Sequence, residues 1–377
     1  MCRPGQTGNS VIIAGGFATP DPMSDFQKEL QTLLPEIMAS PRLYLHTLDM
    51  EKAAALIIDT NPDFYRNAVF LDQRALGPNT RGAWVPLDVL WRHMDASENR
   101  YLAPASFIFH IGHCGSTLIS RLLDEAPGVL GLREPLVLRT MASGLHTRRV
   151  DGGAAFEETF KHAYQLLARR FSPKQKVIIK PTSMCNNLAP VLLAQNPANR
   201  GILLFVTLEV YLANMLDKSD ATDVEGFLGH RIASLEKIVP DLELNTSDLS
   251  PPEKITFSWL AEAAQFYLLS TRGLAPRLLL MDFDRFLTQT HEHLPNVLHH
   301  FSIPAEQETL DGMLVSPVFK SYAKQPGFAY TPANREAILS ESRAANADAI
   351  KTGIRFVERM MKTHPDLGEL TRKLPLA

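Results

Sequence analysis

The feature that most restricts the fold is one segment in which an apolar strand, a glycine turn and a helix follow one another directly. Ser106–Ile111 reads SFIFHI, the turn GHCGST occupies 112–117, and the helical run LISRLLDEA follows at 118–126. This order predicts a βα unit. Such a turn directs backbone N–H groups toward one point in front of a helix N-terminus, where an anion is stabilised. The sequence therefore predicts an anion-binding turn at the end of a strand.

Four further apolar segments predict that this unit belongs to a larger parallel sheet. They are VLGLREP at 129–135, KVIIK at 176–180, GILLFV at 201–206 and RLLLMDF at 277–283, with helical runs between them. Strands that are apolar throughout are typical of a sheet covered by helices on both faces. The predicted fold class is α/β, a doubly wound parallel sheet with a P-loop-type anion-binding turn, flanked by helical N- and C-terminal extensions.

Changes in composition and periodicity divide the chain into regions. The predicted regions are a loose arm over 1–25, a helical N-terminal extension over 26–100, a P-loop α/β domain over 101–330 and a C-terminal helical wrap over 331–377. Within the flanking regions, helices are expected over Phe26–Met38, over Met50–Ile58, within Trp84–Met94 and, as one long element, over Asn334–Lys362.

Charge and composition exclude several classes of partner and cofactor. The net charge is 38 − 41 = −3, which argues against nucleic acid or an anionic membrane as a partner, because both favour a strongly positive surface. No run approaches the length of about 18 apolar residues that a membrane span needs, and the N-terminus lacks the long apolar run of a secretory signal. A cytoplasmic protein is therefore predicted. Three scattered cysteines and the spacing of the histidines match no metal-ligand motif, so no metal is expected.

The glycine turn differs from the common nucleotide-binding motifs. A Walker A loop has a Lys before its last hydroxyl residue, whereas here Gly115 is followed directly by Ser116 and Thr117. The dinucleotide motif GxGxxG is absent as well, since Gly112 and Gly115 have no earlier partner. Ser116 and Thr117 add hydroxyl donors at the start of the helix. The pattern favours binding of a phosphate or sulfate group and argues against hydrolysis of a nucleoside triphosphate.

The segment GHCGSTLISRLLDEAPGVLGLREP resembles the 5′-phosphosulfate-binding loop of P-loop sulfotransferases, which is followed by a leucine-rich helix and a Glu-Pro pair. Two later segments, LLLMDFDRFLTQTHEHLPNVLHHFSIP and KSYAKQPGFAYTPANR, resemble C-terminal elements of the family and of a bacterial sulfotransferase-like subgroup. By position, His113 falls on the basic residue of the family's loop, and Cys114 falls on its Ser. The next three residues, Gly115, Ser116 and Thr117, fall on its Gly-Thr-Thr. Glu134 falls on a Glu that acts as base in the family.

This resemblance implies a donor, 3′-phosphoadenosine 5′-phosphosulfate, bound by Gly112, His113, Cys114, Gly115, Ser116 and Thr117, with no metal ion. It also implies that His113 assists the leaving group and that Glu134 is the general base. Cys114 is read as a small loop residue, because no His–Asn or His–Asp arrangement accompanies it. His110 is expected to be a satisfied histidine at the end of the strand.

Two positions depart from the family pattern. His113 replaces an Arg or Lys, so its charge depends on pH. The strand GILLFV runs into Thr207 where the family has the Arg of its 3′-phosphate site, while Asn214 lies near the position of that site's Ser. Lys180 and Lys324 are the basic residues that could replace the missing Arg.

The predicted function is transfer of a sulfonate group to a hydroxyl or amine of a small-molecule acceptor. One alternative is a sulfotransferase-like protein that binds or scaffolds without catalysis, and another is a P-loop kinase-like enzyme that uses ATP. Neither the acceptor nor the oligomeric state can be inferred from the sequence, because loops and helical insertions form the acceptor pocket in such folds.

Overall fold

The structure is a computed structural model that describes residues 25–98, 102–146, 153–216, 221–236, 239, 242, 244–271, 273–304, 306–322, 325–329 and 331–374. Its strands are β1 Leu43–Asp49, β2 Ala54–Asp59, β3 Gly82–Pro86, β4 Ala105–His110, β5 Val129–Arg133, β6 Lys176–Lys180, β7 Arg200–Phe205, β8 Leu278–Asp282, β9 Ser321–Tyr322 and β10 Gln325–Ala329. The predicted arm over 1–25 lies outside the described residues, except for Asp25.

Helices connect and cover these strands. They are α1 Asp25–Leu33, α2 Pro62–Asn67, α3 Leu87–Ala96, α4 Ser116–Leu123, α5 Leu136–His146, α6 Ala154–Leu167, α7 Ala189–Ala194, α8 Leu208–Leu216, α9 Ala221–Leu235, α10 Pro251–Thr271, α11 Phe283–Thr288, α12 Thr290–His300, α13 Gln307–Leu314, α14 Pro332–Ala345, α15 Ala347–Thr363 and α16 Gly368–Lys373. No helix of the described part of the chain is long and apolar enough to cross a membrane.

The core is a five-stranded sheet in the order β5-β6-β4-β7-β8, and every neighbouring pair is parallel. Its central strand β4 buries Phe107, Ile108 and Phe109 completely. Helices lie around the sheet, so the predicted α/β fold with helical flanks is confirmed.

Strand β4 stands where the winding of the sheet reverses. The chain runs from β4 to β5 on one side and, after β6, crosses to β7 on the other side of β4. In open α/β sheets, ligands bind beyond the carboxyl ends of the strands at such a reversal. The predicted anion-binding turn follows β4 directly and therefore occupies this position.

The N-terminal extension contains a three-stranded antiparallel sheet, β1-β2-β3, beside its helices. The helices α1 and α3 fall where helices were predicted, but the helix predicted over Met50–Ile58 is wrong. Ala54–Asp59 forms β2, which pairs with strands on both sides and buries Ala55 to Ile58. A short apolar run fits either a helix or a central strand, and here pairing with β1 and β3 decides between them.

The predicted terminal helix over Asn334–Lys362 is two helices rather than one. Its course is interrupted at Asn346, between α14 and α15, where the backbone has φ −114° and ψ 20°. The Asn346 amide donates to the Ser342 carbonyl at 3.0 Å. Asn forms such local bonds readily, which makes it a common residue at helix ends.

Two buried arginines of the α/β domain hold the extension in place. Arg133, at the end of β5, donates to the carbonyls of Tyr65 at 2.5 Å and of Ala68 at 2.8 Å, and it forms an ion pair with Asp124. Arg169 donates in the same way to the carbonyls of Ser40 and Leu43 at 2.7 and 2.6 Å. Buried carbonyls and charges are stable only with such partners, so these contacts couple the two parts.

Candidate functional site

The turn after β4 has the backbone that an anion-binding loop requires. Gly112, His113 and Gly115 have φ values of 84°, 49° and 78°, a region that L-residues rarely adopt. The carbonyl of Gly115 accepts the N–H groups of Leu118 and Ile119 and so begins α4. No hydrogen bond within the described residues engages the backbone N–H groups of Cys114, Gly115 or Thr117. These N–H groups are therefore available to an oxyanion at the start of the helix.

Gly115 has two independent reasons to be glycine. Its φ is positive, and an added Cβ would lie 2.2 Å from ring atoms of Phe283. Phe283 begins α11 directly after β8, and its aromatic ring packs against the turn at Gly115. The sequence pattern places Gly115 in the turn, whereas its contact with Phe283 depends on the fold.

His110 fixes the turn to the neighbouring strand, as expected of a satisfied histidine. The Gly112 N–H donates to His110 Nδ1 at 3.0 Å, and the other ring nitrogen, Nε2, is 3.0 Å from the Pro181 carbonyl. Because Nδ1 accepts, the proton resides on Nε2 and donates to Pro181. The neutral imidazole thus links the ends of β4 and β6.

The remaining loop residues divide between the surface and the core. Gly112 and His113 line a cleft, whereas Cys114, Ser116 and Thr117 are buried behind them. Cys114 Sγ lies 3.5 Å from the Leu204 carbonyl, and burial raises the pKa of the thiol to about 12. Its side chain is a neutral packing group, and only its backbone can contact an anion.

The cleft has a volume of about 450 Å³ and opens at the carboxyl edge of the sheet. This volume is suited to a small-molecule ligand. Its lining residues are Phe70, Asp72, Gln73, Arg74, His110, Gly112, His113, Glu134, Arg139, Thr182, Ser183, Met184, Tyr211, Met215, Arg231 and Ser258.

Glu134 enters the cleft from the end of β5. Its φ is 52°, so the chain turns sharply after the strand, and its N–H donates to the Lys180 carbonyl at 2.6 Å. Lys180 Nζ donates to Glu134 Oε1 at 2.5 Å, while Glu134 Oε2 lies 3.8 Å from Arg74 Nη2. Arg133, the preceding residue, points away from the cleft toward Asp124. The carboxylate is thus held at one oxygen by a lysine whose side chain is only 1% exposed.

The N-terminal extension supplies one wall of the cleft. Leu71 N–H donates to the Arg133 carbonyl at 2.6 Å, and Leu136 N–H donates to the Leu71 carbonyl at 3.2 Å. These backbone bonds flank Glu134 and place Phe70, Asp72 and Arg74 opposite it.

Within this wall, Arg74 is fully engaged. Its guanidinium lies 3.9 Å from the centre of the Phe70 ring, and it binds both carboxylate oxygens of Asp72, with Nη2 2.5 Å from Oδ2. Burial opposes the charged form of Asp72, but the hydrogen bonds from Arg74 outweigh it and lower the pKa of that carboxyl. Asp72 therefore remains charged and paired.

The opposite wall contains a buried polar network. Arg231 donates to the Ser258 carbonyl at 2.8 Å and to Ser183 Oγ at 3.3 Å, and it lies 3.3 Å from Glu262 Oε1. Asn186 Nδ2 donates to Glu262 Oε2 at 2.6 Å. Burial raises the pKa of Glu262, although Arg231 and Asn186 act against this shift. The network keeps an arginine with a 7% exposed side chain at the cleft surface.

Among the other predicted ligands, two have a buried polar atom without a partner in the described part of the chain and one cannot be placed. Asn214 is on α8 and its buried Nδ2 has no hydrogen-bond partner within the described residues. Thr117 Oγ1, on α4, is likewise buried without a partner there. Lys324 lies outside the described residues. No group of three or more His, Cys, Asp or Glu side chains in the described ranges could hold a metal ion.

Sequence reasoning did not identify Arg74, Arg139 or Arg231 as cleft residues. They come from the extension, from α5 and from α9, which are distant in sequence. None lies in a motif, so only the folded chain shows that they share a surface.

No protein-family model matches the chain, and no curated protein matches it. Among solved structures it is similar to a sulfotransferase from Mycobacterium tuberculosis, with 11% identity and a TM-score of 0.37 over 68% of this chain and 80% of that one. A sulfotransferase from Mycobacterium avium matches with 13% identity and a TM-score of 0.36, over 84% of this chain and 96% of that one. A mouse sulfotransferase complexed with PAP matches with 11% identity and a TM-score of 0.30, over 69% and 89%.

These neighbours are all sulfotransferases.

Proposed function

We propose that the protein is a sulfotransferase that moves a sulfonate group from 3′-phosphoadenosine 5′-phosphosulfate to a hydroxyl or amine of a small-molecule acceptor. The observation that carries the proposal is that the anion-binding turn and the Glu134 carboxylate open onto one cleft at the carboxyl edge of the sheet. An oxyanion site and a candidate base in one cleft are the two elements that in-line group transfer requires.

The residues of the turn are suited to the donor. When bound, the donor would supply an activated sulfonate. The N–H groups of Cys114, Gly115 and Thr117, which have no partner among the described residues, would hold anionic oxygens, and Thr117 Oγ1, likewise without a partner there, would turn toward them. His113 lines the cleft beside these groups and would donate a proton or a hydrogen bond to the departing oxygen.

Glu134 would act on the acceptor. Its Oε2 is not bound by Lys180 and would accept the proton of an acceptor hydroxyl as that oxygen attacks sulfur. Lys180, predicted as a donor ligand, would orient Glu134 and bring a positive charge close to the reacting groups. Asn214, whose Nδ2 has no partner in the described ranges, and Lys324 remain proposed ligands of the 3′-phosphate.

One observation favours the second candidate, a non-catalytic sulfotransferase-like protein. Where the family has its 3′-phosphate Arg, this chain continues from Thr207 into α8, and Glu209 in the first turn forms an ion pair with Arg343 at 3.3 Å. A carboxylate at this position would repel a phosphate unless Arg343 exchanges partners.

A calorimetric titration with adenosine 3′,5′-bisphosphate distinguishes these functions. A sulfotransferase should bind it with micromolar affinity and should bind adenosine 5′-monophosphate more weakly, because the latter lacks the 3′-phosphate. Absence of binding would support the non-catalytic candidate and contradict the proposal. Turnover of ATP with magnesium in a parallel assay would instead indicate the kinase-like alternative.

A further inference from the structure

Each carboxylate of the cleft can be matched with a cationic side chain. Three carboxylates lie at or behind its surface, and each has a cationic partner. The pairs are Asp72 with Arg74, Glu134 with Lys180 and Glu262 with Arg231, with closest atoms at 2.5, 2.5 and 3.3 Å.

One further cation, Arg139, lines the cleft and belongs to none of these three pairs. Arg139 lies on α5, little more than one turn after Glu134, and is partly buried. Within the described residues it makes no hydrogen bond and no ion pair. Its charge acts on Asp72, but both oxygens of that carboxylate are already bound by Arg74. Partial burial of a cation without a partner is unfavourable, and arrival of an anion would remove this cost.

The position of Arg139 favours the acceptor rather than the donor as its partner. Arg139 follows Glu134 by five residues in the chain, and both residues line the cleft. Asp72, in the wall formed by the extension, lines the cleft with them, and the charge of Arg139 contributes to lowering the pKa of that carboxyl. Arg139 therefore belongs with Glu134, the group proposed to act on the acceptor.

Arg231, which lines the same cleft, makes it more suitable for an anion. Its side chain is 93% buried, since 7% is exposed, and its buried Nε has no hydrogen-bond partner in the described part of the chain. Because Glu262 neutralises Arg231, the net surplus is the single charge of Arg139. This surplus matches a monoanion such as a carboxylate better than a doubly charged phosphate.

We propose that the acceptor is a hydroxylated carboxylic acid, whose carboxylate is bound by Arg139 with Arg231 beside it while its hydroxyl lies at Glu134. A planar guanidinium binds a carboxylate through two parallel N–H···O bonds, so the pair would orient the acceptor as well as hold it. The inference rests on the proposed function for the role of the hydroxyl, whereas the carboxylate site itself can be tested without turnover.

The test compares acids with their neutral amides. Binding of 4-hydroxyphenylacetate, 4-hydroxyphenylacetamide, 6-hydroxyhexanoate and 6-hydroxyhexanamide is measured by calorimetry, with and without adenosine 3′,5′-bisphosphate. Each acid should bind about tenfold or more tightly than its amide, the ratio expected from a charge-assisted hydrogen bond. Arg139→Met should remove this preference and leave the affinity for the bisphosphate unchanged, while Arg139→Lys should retain part of it.

Arg92→Met is the matched control, because Arg92 is an exposed arginine of α3 outside the cleft. It should leave the preference for acids intact. The inference is overturned if neither acid binds more tightly than its amide, or if the preference survives in Arg139→Met. It is also overturned if Arg139→Met weakens bisphosphate binding, since Arg139 would then serve the donor. Acid preference without any bisphosphate binding would support the carboxylate site and contradict the sulfotransferase function.

Discussion

Lys180 Nζ lies 2.5 Å from Glu134 Oε1, and the two residues stand at the carboxyl ends of neighbouring parallel strands. Their backbones are joined as well, through the Glu134 N–H and the Lys180 carbonyl at 2.6 Å. The carboxylate therefore has a fixed position, with one oxygen bound to the lysine. This leaves Oε2 as the atom available to a ligand.

Glu134→Gln should abolish the base and preserve the shape of the side chain. Turnover is expected to fall by a factor of about 10²–10⁴, the usual contribution of a positioned base, while affinity for adenosine 3′,5′-bisphosphate is retained. Asp72→Asn is the matched control, because it neutralises another carboxylate of the same cleft that is already paired with Arg74. Steady-state rates and donor titrations on both variants test the role, and full activity in Glu134→Gln would remove Glu134 from the mechanism.

His113→Gly should lower turnover more than it weakens donor binding. Glycine accommodates the φ of 49° without strain, so this variant deletes the imidazole and keeps the turn. Loss of one preorganised donor typically reduces the rate by a factor of about 10²–10³. The comparison is between kcat and the bisphosphate dissociation constant, and an unchanged kcat would assign His113 a structural role.

Gly115→Ala should disrupt the turn after β4, because it combines backbone strain with a collision against Phe283. Gly128→Ala is the matched control, since Gly128 has a φ of 77° but its nearest neighbouring atom would be 3.9 Å from the new Cβ. The left-handed conformation costs an alanine about 1–2 kcal/mol, and contact with Phe283 adds an overpacking cost of about 1–3 kcal/mol. Urea unfolding should therefore show a larger loss for Gly115→Ala, with bisphosphate binding lost only in that variant. Equal losses in the two variants would show that the contact with Phe283 is unimportant.

The free energy of unfolding should decrease as the pH falls below about 6.5, partly because of His46. Burial lowers the pKa of this histidine from its ordinary value of 6.5, and the nearby backbone and carboxylate of Asp72 offset this only in part. At a pH between the lowered pKa of His46 in the folded chain and its pKa of about 6.5 in the unfolded chain, only the unfolded chain binds the proton. Acidification therefore favours unfolding, by at most about 1.4 kcal/mol per pH unit. His46→Leu should show a shallower decrease between pH 6.5 and 5 in denaturant titrations. His291→Gln, at an exposed position, is the control and should show the same dependence of the free energy of unfolding on pH as the unmodified protein. If His46→Leu also shows that unchanged dependence, His46 is not its cause.

The sequence predicted the parts of the fold and site that depend on local order. Strand, turn and helix follow one another within Ser106–Leu123, so the position of the glycine turn was predictable from the chain itself. The strand β2 could not be predicted in this way, because AALIID fits either a helix or a strand, and only pairing with β1 and β3 decides between them. Arg139 and Arg231 could not be recognised, since their placement in one cleft depends on packing between elements far apart in sequence.

The backbone bonds from Leu71 to Arg133 and from Leu136 to Leu71 have a consequence for access to the cleft. They enclose Glu134 on both sides, so outward movement of the Phe70–Arg74 segment would displace the carboxylate at the same time. A ligand that displaced this wall on entering would therefore break the two bonds or move Glu134. Entry along another side of the cleft avoids both, so we expect the N-terminal extension to be a stationary boundary of the cleft rather than its entrance.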